Sequence, residues 1–205
     1  MKKIVVNAFA AALVLGSVGA AKANLMITGG TGSTQAATEA TSPFPVSLYG
    51  YAGGTVTAVD AGSYVFTYLG VGNPSLNNLF SVSNCGSTFT GNVTPIGTSF
   101  SCTFGANTVI PFTFTAPNVG TSSNGDAFTN GLGYLAAVAG STSAPGLTSG
   151  SSVYLGLSDG LATNDSDFQD LVVRVDEVPE PASFALLGVG LLGLGIAWSR
   201  RRARA

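Results

Sequence analysis

Apolar and small polar residues alternate in short runs along the middle of this chain, and nearly every run is closed by Gly, Asn, Pro or Ser. A period of two puts successive side chains on opposite faces of an extended strand, whereas a helix buries a stripe with a period near 3.6. Tyr64, Phe66 and Tyr68 share one face of such a run, with Val65, Thr67 and Leu69 on the other. Phe100, Cys102 and Phe104 repeat the pattern against Ser99, Ser101 and Thr103. Val153, Leu155 and Leu157 form a third face, and Leu171, Val173 and Val175 a fourth, with Arg174 and Asp176 directed outward. No stretch of the body sustains a helical period beyond about two turns, and the best, Gly131 to Ala139, reads equally well as a strand. Short strands with frequent turn residues predict an all-β fold, a single antiparallel β-sandwich of jelly-roll-like type over residues 24–178. About 155 residues suffice for one core. Thr28 to Ser42 and Ala139 to Ser152, rich in Gly, Ser, Thr and Ala, read as loops.

The ends have a different composition. Lys2 and Lys3, an apolar run from Ile4 to about Gly19, and the small-x-small triplet Ala21-Lys22-Ala23 make up the three parts of a secretory signal. Residues 1–23 are therefore expected to be a signal peptide cut by signal peptidase after Ala23, the alternative being an uncleaved anchor. At the other end an uncharged run from Ser183 to Ser199 is followed by Arg200, Arg201 and Arg202. At about 1.5 Å per residue it spans roughly 25 Å as a helix, close to the hydrocarbon thickness. Trp198 stands where an interfacial aromatic belongs, and the arginines hold that end on the cytoplasmic side. The expectation is a transmembrane helix over 183–199 and an arginine cluster over 200–204, tethering a periplasmic ectodomain to the inner membrane.

Charge and side-chain chemistry narrow the function. The chain has no histidine, which excludes Ser-His, Cys-His and His-metal sites. Residues 24–178 hold nine acidic residues against Arg174 alone, a net charge of −8 that repels phosphate backbones, so no nucleic-acid partner is expected. They also contain no lysine, which excludes a Ser-Lys dyad. Carboxylate pairs of a glycoside hydrolase remain a remote alternative, and the expectation is a protein that is not an enzyme. Cys85 and Cys102 are the only cysteines, and export to an oxidising compartment predicts that they pair. Closing that loop adds roughly 3 kcal/mol in a chain-entropy treatment.

Asp159, Asp165, Asp167 and Asp170 crowd one stretch between two strand candidates, with Asn164 and glycine among them. Oxygen ligands at alternating positions suit a hard cation, and calcium is the candidate metal. The stretch lacks the EF-hand pattern, and a solvated acidic hairpin loop is the competing reading. No cofactor is required by anything in the sequence.

Pro179-Glu180-Pro181, the apolar run and the terminal arginines, in that order, resemble the PEP-CTERM sorting signal of exported proteins from Gram-negative bacteria that make extracellular polysaccharide. The resemblance covers residues 179–205. It implies that Pro179, Glu180 and Pro181 are recognised by exosortase, a membrane cysteine protease, with Trp198 and Arg200 to Arg202 in the retention signal. Two prolines around the glutamate resist helix and keep the segment extended for a processing enzyme. Two stretches of the body, YVFTYLGVGNPSLNN (Tyr64 to Asn78) and the acidic turn between VYLGLSDG and DFQDLVVRV, resemble elements recurrent in PEP-CTERM ectodomains, although Ser166 and Gln169 stand where aspartate or asparagine is common there. The resulting expectation is a surface protein, structural or adhesive, associated with envelope or extracellular polysaccharide. A calcium-dependent carbohydrate-binding module is the alternative.

Overall fold

The computed structural model describes residues 24–35, 43–72, 77–159, 167–178 and 190–191. Residues Lys22–Val178 form one compact unit; of the other, Met1–Ala21 with Pro179–Ala205, only 190 and 191 are described. The fold is all-β. In chain order the strands are β1 (Leu25–Thr28), β2 (Thr31–Gln35), β3 (Leu48–Ala52), β4 (Thr55–Ala58), β5 (Gly62–Gly70), β6 (Leu79–Val82), β7 (Ser87–Thr90), β8 (Ser99–Phe104), β9 (Thr108–Val109), β10 (Phe112–Ala116), β11 (Gly120–Ser123), β12 (Leu132–Val138), β13 (Ser149–Gly150), β14 (Ser152–Asp159) and β15 (Leu171–Val178). A single 3-10 turn, Gly91–Val93, is the only helix described in the body.

All strand pairs are antiparallel, in three sheets: β2-β3-β12-β14-β15-β5-β8, β13-β1-β4-β9 and β11-β10-β6-β7. One hydrophobic core draws side chains from all three. The faces expected from alternation enter it as sets: Tyr64, Phe66 and Tyr68 from β5, Val153, Leu155 and Leu157 from β14, and Leu171, Val173 and Val175 from β15. Register aligns them, since Val173 lies opposite both Leu155 and Tyr68, and Val175 opposite Phe66. Cys102 and Phe104 are buried, and Phe100 packs against the same core.

Rings connect the sheets. Phe66 stacks on Phe100 at 5.1 Å between centroids and meets Phe80 at 5.9 Å, and Phe80 meets Phe114 edge-on at 5.0 Å. Phe89 lies 4.9 Å from Phe100, and Phe112 lies 5.0 Å from Tyr134. Each such pair adds about 0.5–1.5 kcal/mol beyond the area it buries. Polar groups where strands end are satisfied by side chains. Asn124 mimics a strand residue, its Oδ1 accepting from Val56 N at 2.8 Å while its Nδ2 donates to Val56 O at 2.7 Å and Ile110 O at 2.8 Å. Tyr134 carries its hydroxyl through the core to donate to Gly54 O at 2.7 Å and accept from Gly125 N at 2.8 Å.

The middle of the seven-stranded sheet is buried on both faces. Ala137, Tyr154 and Val172, which alternate with core residues, form a second cluster with Phe44 and Leu48. Approach there is so close that a Cβ at Gly156 would collide with the Phe168 carbonyl and the Phe44 ring.

Two stretches expected to be loops contain strands. Thr31–Gln35 is an edge strand on β3, and Ser149–Gly150 is a short edge strand on β1. Neither has apolar alternation, because an edge strand can be held by its backbone ladder while its side chains face solvent. Gly131 to Ala139, open between helix and strand, is strand over Leu132–Val138.

Cys85 and Cys102 form the disulfide, with Cα atoms 5.8 Å apart. The bond joins the turn after β6 to β8, tying the edge of the seven-stranded sheet to the sheet containing β6. Replacing both cysteines by alanine should lower unfolding stability by about 2–4 kcal/mol, read as a lower denaturation midpoint. An unchanged midpoint would mean that the bond constrains nothing in the unfolded chain.

Candidate functional site

β15 is an interior strand, paired with β14 on one side and β5 on the other. Its pairing with β5 continues to its last residues, Glu177 opposite Tyr64 and Val178 opposite Ser63. Glu177 N donates to Ser151 O at 3.0 Å. Pro179 follows Val178 directly and has no N–H to extend the ladder. The sheet therefore runs up to the first residue of the expected sorting segment with no spacer. A family model described as the PEP-CTERM protein-sorting motif matches residues 177–202, beginning inside this strand.

The chain carries a PEP-CTERM sorting motif.

That motif implies export, surface association and processing by exosortase. No curated protein matches the chain, and no solved structure does. Pro179, Glu180, Pro181, Trp198 and Arg200 to Arg202 lie outside the described residues, as do Ala21 and Ala23 of the expected signal-peptidase site. Most of the run 183–199 lies outside them too, and among the described residues no helix is long and apolar enough to cross a membrane.

The acidic stretch is only partly described. Asp165 and Asn164 lie outside, while Asp159 ends β14 and Asp167 and Asp170 precede β15. Among the described residues no group of three or more His, Cys, Asp or Glu is arranged to hold a metal. Two of the four aspartates come together: Asp170 Oδ2 accepts from Asp159 N at 2.8 Å, closing the mouth of the β14–β15 hairpin. Both are 7% exposed. Asp167 instead receives Gln169 Nε2 at 3.4 Å. The partner that local reading missed is Asn78, whose Nδ2 lies 3.3 Å from both Asp159 Oδ2 and Asp170 O. Gly72 N also donates to Gln169 O at 2.7 Å, so the segment after β5 is fastened to the acidic turn at two points. The two stretches singled out as resembling ectodomain elements are thus in contact.

Beside the same turn a cleft of about 420 Å³ is lined by Gly30, Gly32, Gly53, Gly125, Phe128 and Phe168. The two rings meet at 5.1 Å and 53°. Phe168 is held at φ 42°, a left-handed conformation uncommon for a bulky residue. Elsewhere Arg174, the body's one cation, pairs with Asp176 at 2.6 Å on the sheet surface, and Ser152 Oγ donates to the same carboxylate.

Burial raises the Tyr64 phenol to about 12, with Glu177 and Asp60 adding to it, and burial raises Tyr134 to about 12 as well. The folded state keeps these phenols protonated where the unfolded chain ionises them near pH 10. Their contribution is complete below pH 10 and lost as the pH climbs towards 12, with a slope of about 1.4 kcal/mol per pH unit for each tyrosine. Melting temperature followed by circular dichroism should stay level up to pH 10 and then fall, and Tyr64→Phe should make the fall shallower. A flat profile to pH 12 would contradict the assignment.

Proposed function

We propose that this protein is an exported, non-enzymatic surface component whose β body, a layered sandwich, plays a structural or adhesive role against envelope or extracellular polysaccharide. The observation that carries the reading is the sorting motif beginning within an interior strand of the body, so that the body and its address are one continuous piece. On this reading residues 1–23 are removed by signal peptidase, and the helix over 183–199 holds a precursor in the inner membrane with the body in the periplasm. Exosortase then acts at Pro179-Glu180-Pro181. A body rich in Ser, Thr and Gly, with Arg174 as its one cation, suits contact with hydrated polymer through hydrogen bonds rather than charge pairing. The lack of histidine and lysine in the body, and the use of Asp170 to hold the Asp159 backbone, support a non-catalytic role over a carboxylate hydrolase.

A second reading, a calcium-dependent carbohydrate-binding module, is favoured by the glycine-lined cleft, where the partly buried Phe128 ring, backed by the buried Phe168, offers surface for a sugar face to stack on and glycines leave backbone amides accessible.

Replacing Pro179, Glu180 and Pro181 together by alanine in the native host should move most of the protein from the surface and medium into the membrane fraction, measured by fractionation and immunoblotting. An unaltered distribution would reject the motif as the sorting determinant.

A further inference from the structure

From Ala61 to Gly125 the chain contains no Asp, Glu, Lys or Arg. That stretch supplies every strand of the sheet β11-β10-β6-β7. The inner face of the sheet sends Phe80, Phe89, Phe112 and Phe114 into the core. Residues directly opposite one another in an antiparallel pair share a face, so the register defines the outer one. Thr88, Ser81, Thr113 and Ser123 form one row across its four strands, and Thr90, Leu79, Thr115 and Thr121 form the next. None of these residues is buried, and all but Leu79 carry a hydroxyl. Neighbours in such a grid stand about 4.8 Å apart across the strands and about 6.8 Å apart along them.

Strand propensity explains the threonines but not the missing charge. Soluble domains carry Lys, Arg, Glu or Asp at about a quarter to a third of their surface positions, and the body's nine acids all lie outside this stretch. The chemistry of the grid selects among partners. Protein interfaces are anchored by Trp, Tyr and Arg, with Leu, Ser and Thr under-represented. Nucleic acids and anionic lipid surfaces are held by Lys and Arg, which the grid lacks. What it offers is a flat array of groups that each donate one hydrogen bond and accept others without charge. An uncharged polysaccharide presents the same chemistry at a similar pitch along an extended chain, and it has no carboxylate for the surrounding acids to repel. Thr113 Oγ1 and Ser123 Oγ, 3.1 Å apart, show that hydroxyls on adjacent strands come within bonding reach of a common partner.

We propose that the outer face of β11-β10-β6-β7 is the surface by which the body lies against an uncharged polysaccharide, with Ser81, Thr113 and Thr115 at its centre. The inference rests on the structural or adhesive reading and gives that contact a place, separate from the glycine-lined cleft. One hydroxyl gains little in exchanging water for sugar, so binding comes from many contacts along one polymer chain and is weak for short oligosaccharides. No charge is paired, so the contact is indifferent to salt.

The test mixes the exported chain with suspensions of cellulose, insoluble mannan and cross-linked dextran, with carboxymethyl cellulose as the anionic counterpart, and measures the protein left in solution. At least one neutral polymer should deplete it, equally at about 0.05 and 0.5 M salt, and carboxymethyl cellulose should not. Thr113→Val with Thr115→Val keeps shape and strand preference while removing two central hydroxyls, so it should weaken binding roughly tenfold. Thr113→Ser with Thr115→Ser should retain most of it. Thr57→Val, on the sheet β13-β1-β4-β9, should leave it unchanged. Neutral-polymer binding that the valine pair leaves intact would overturn this face and leave the adhesive reading standing. Failure of every polymer, neutral and anionic, would remove both. Depletion by carboxymethyl cellulose alone, fading with salt, would overturn the uncharged contact.

Discussion

Ring-on-ring contact between the sheets is the interaction on which the rest of the structure depends. A body with one cation and nine acids has few ion pairs to draw on, so its cohesion rests on burying apolar area. Phe66 and Phe100 on the seven-stranded sheet meet Phe80 and Phe89 on the neighbouring one, and Phe112 and Phe114 extend the contact to Tyr134. Layered sheets also leave polar backbone at the seams where strands end. Asn124 and the Tyr134 hydroxyl meet that need from within, which is why a buried asparagine and a buried tyrosine belong to a mostly apolar interior.

The candidate sites inherit their rigidity from this arrangement. β15 lies between two partners and contributes Leu171, Val173 and Val175 to the core. Whatever acts on the segment after Val178 therefore meets a chain whose preceding residues are fixed on both sides. The acidic turn is similarly pinned at its base by Asp170, and from the side by Gly72 and Asn78.

Much of this was legible in the sequence wherever the signal was local. The alternating faces of β5 and β8 could be read because each buries one side, those of β14 and β15 because their core-facing positions are all aliphatic although the other face is largely buried too, and the cysteine pair because export leaves two lone thiols one economical fate. The tail could be read because three elements occur in a fixed order. Thr31–Gln35 could not, since TGSTQ is held by backbone pairing and carries no apolar pattern. Nor could the role of Asn78, which reaches partners 81 and 92 positions away. A count of aspartates along one turn named candidate ligands from that turn alone. Asn78, which donates to Asp159 and Asp170, comes from the strand connection packed beside that turn.

The central claim is that the body and its sorting motif form one exported protein that is processed at their junction. Intact-mass spectrometry of the C-terminus, on protein recovered from the host surface or medium with and without its exosortase, tests this most directly. The account predicts a new terminus within Pro179 to Ala182 that vanishes when the enzyme is deleted. A terminus at Ala205 in both strains would contradict it.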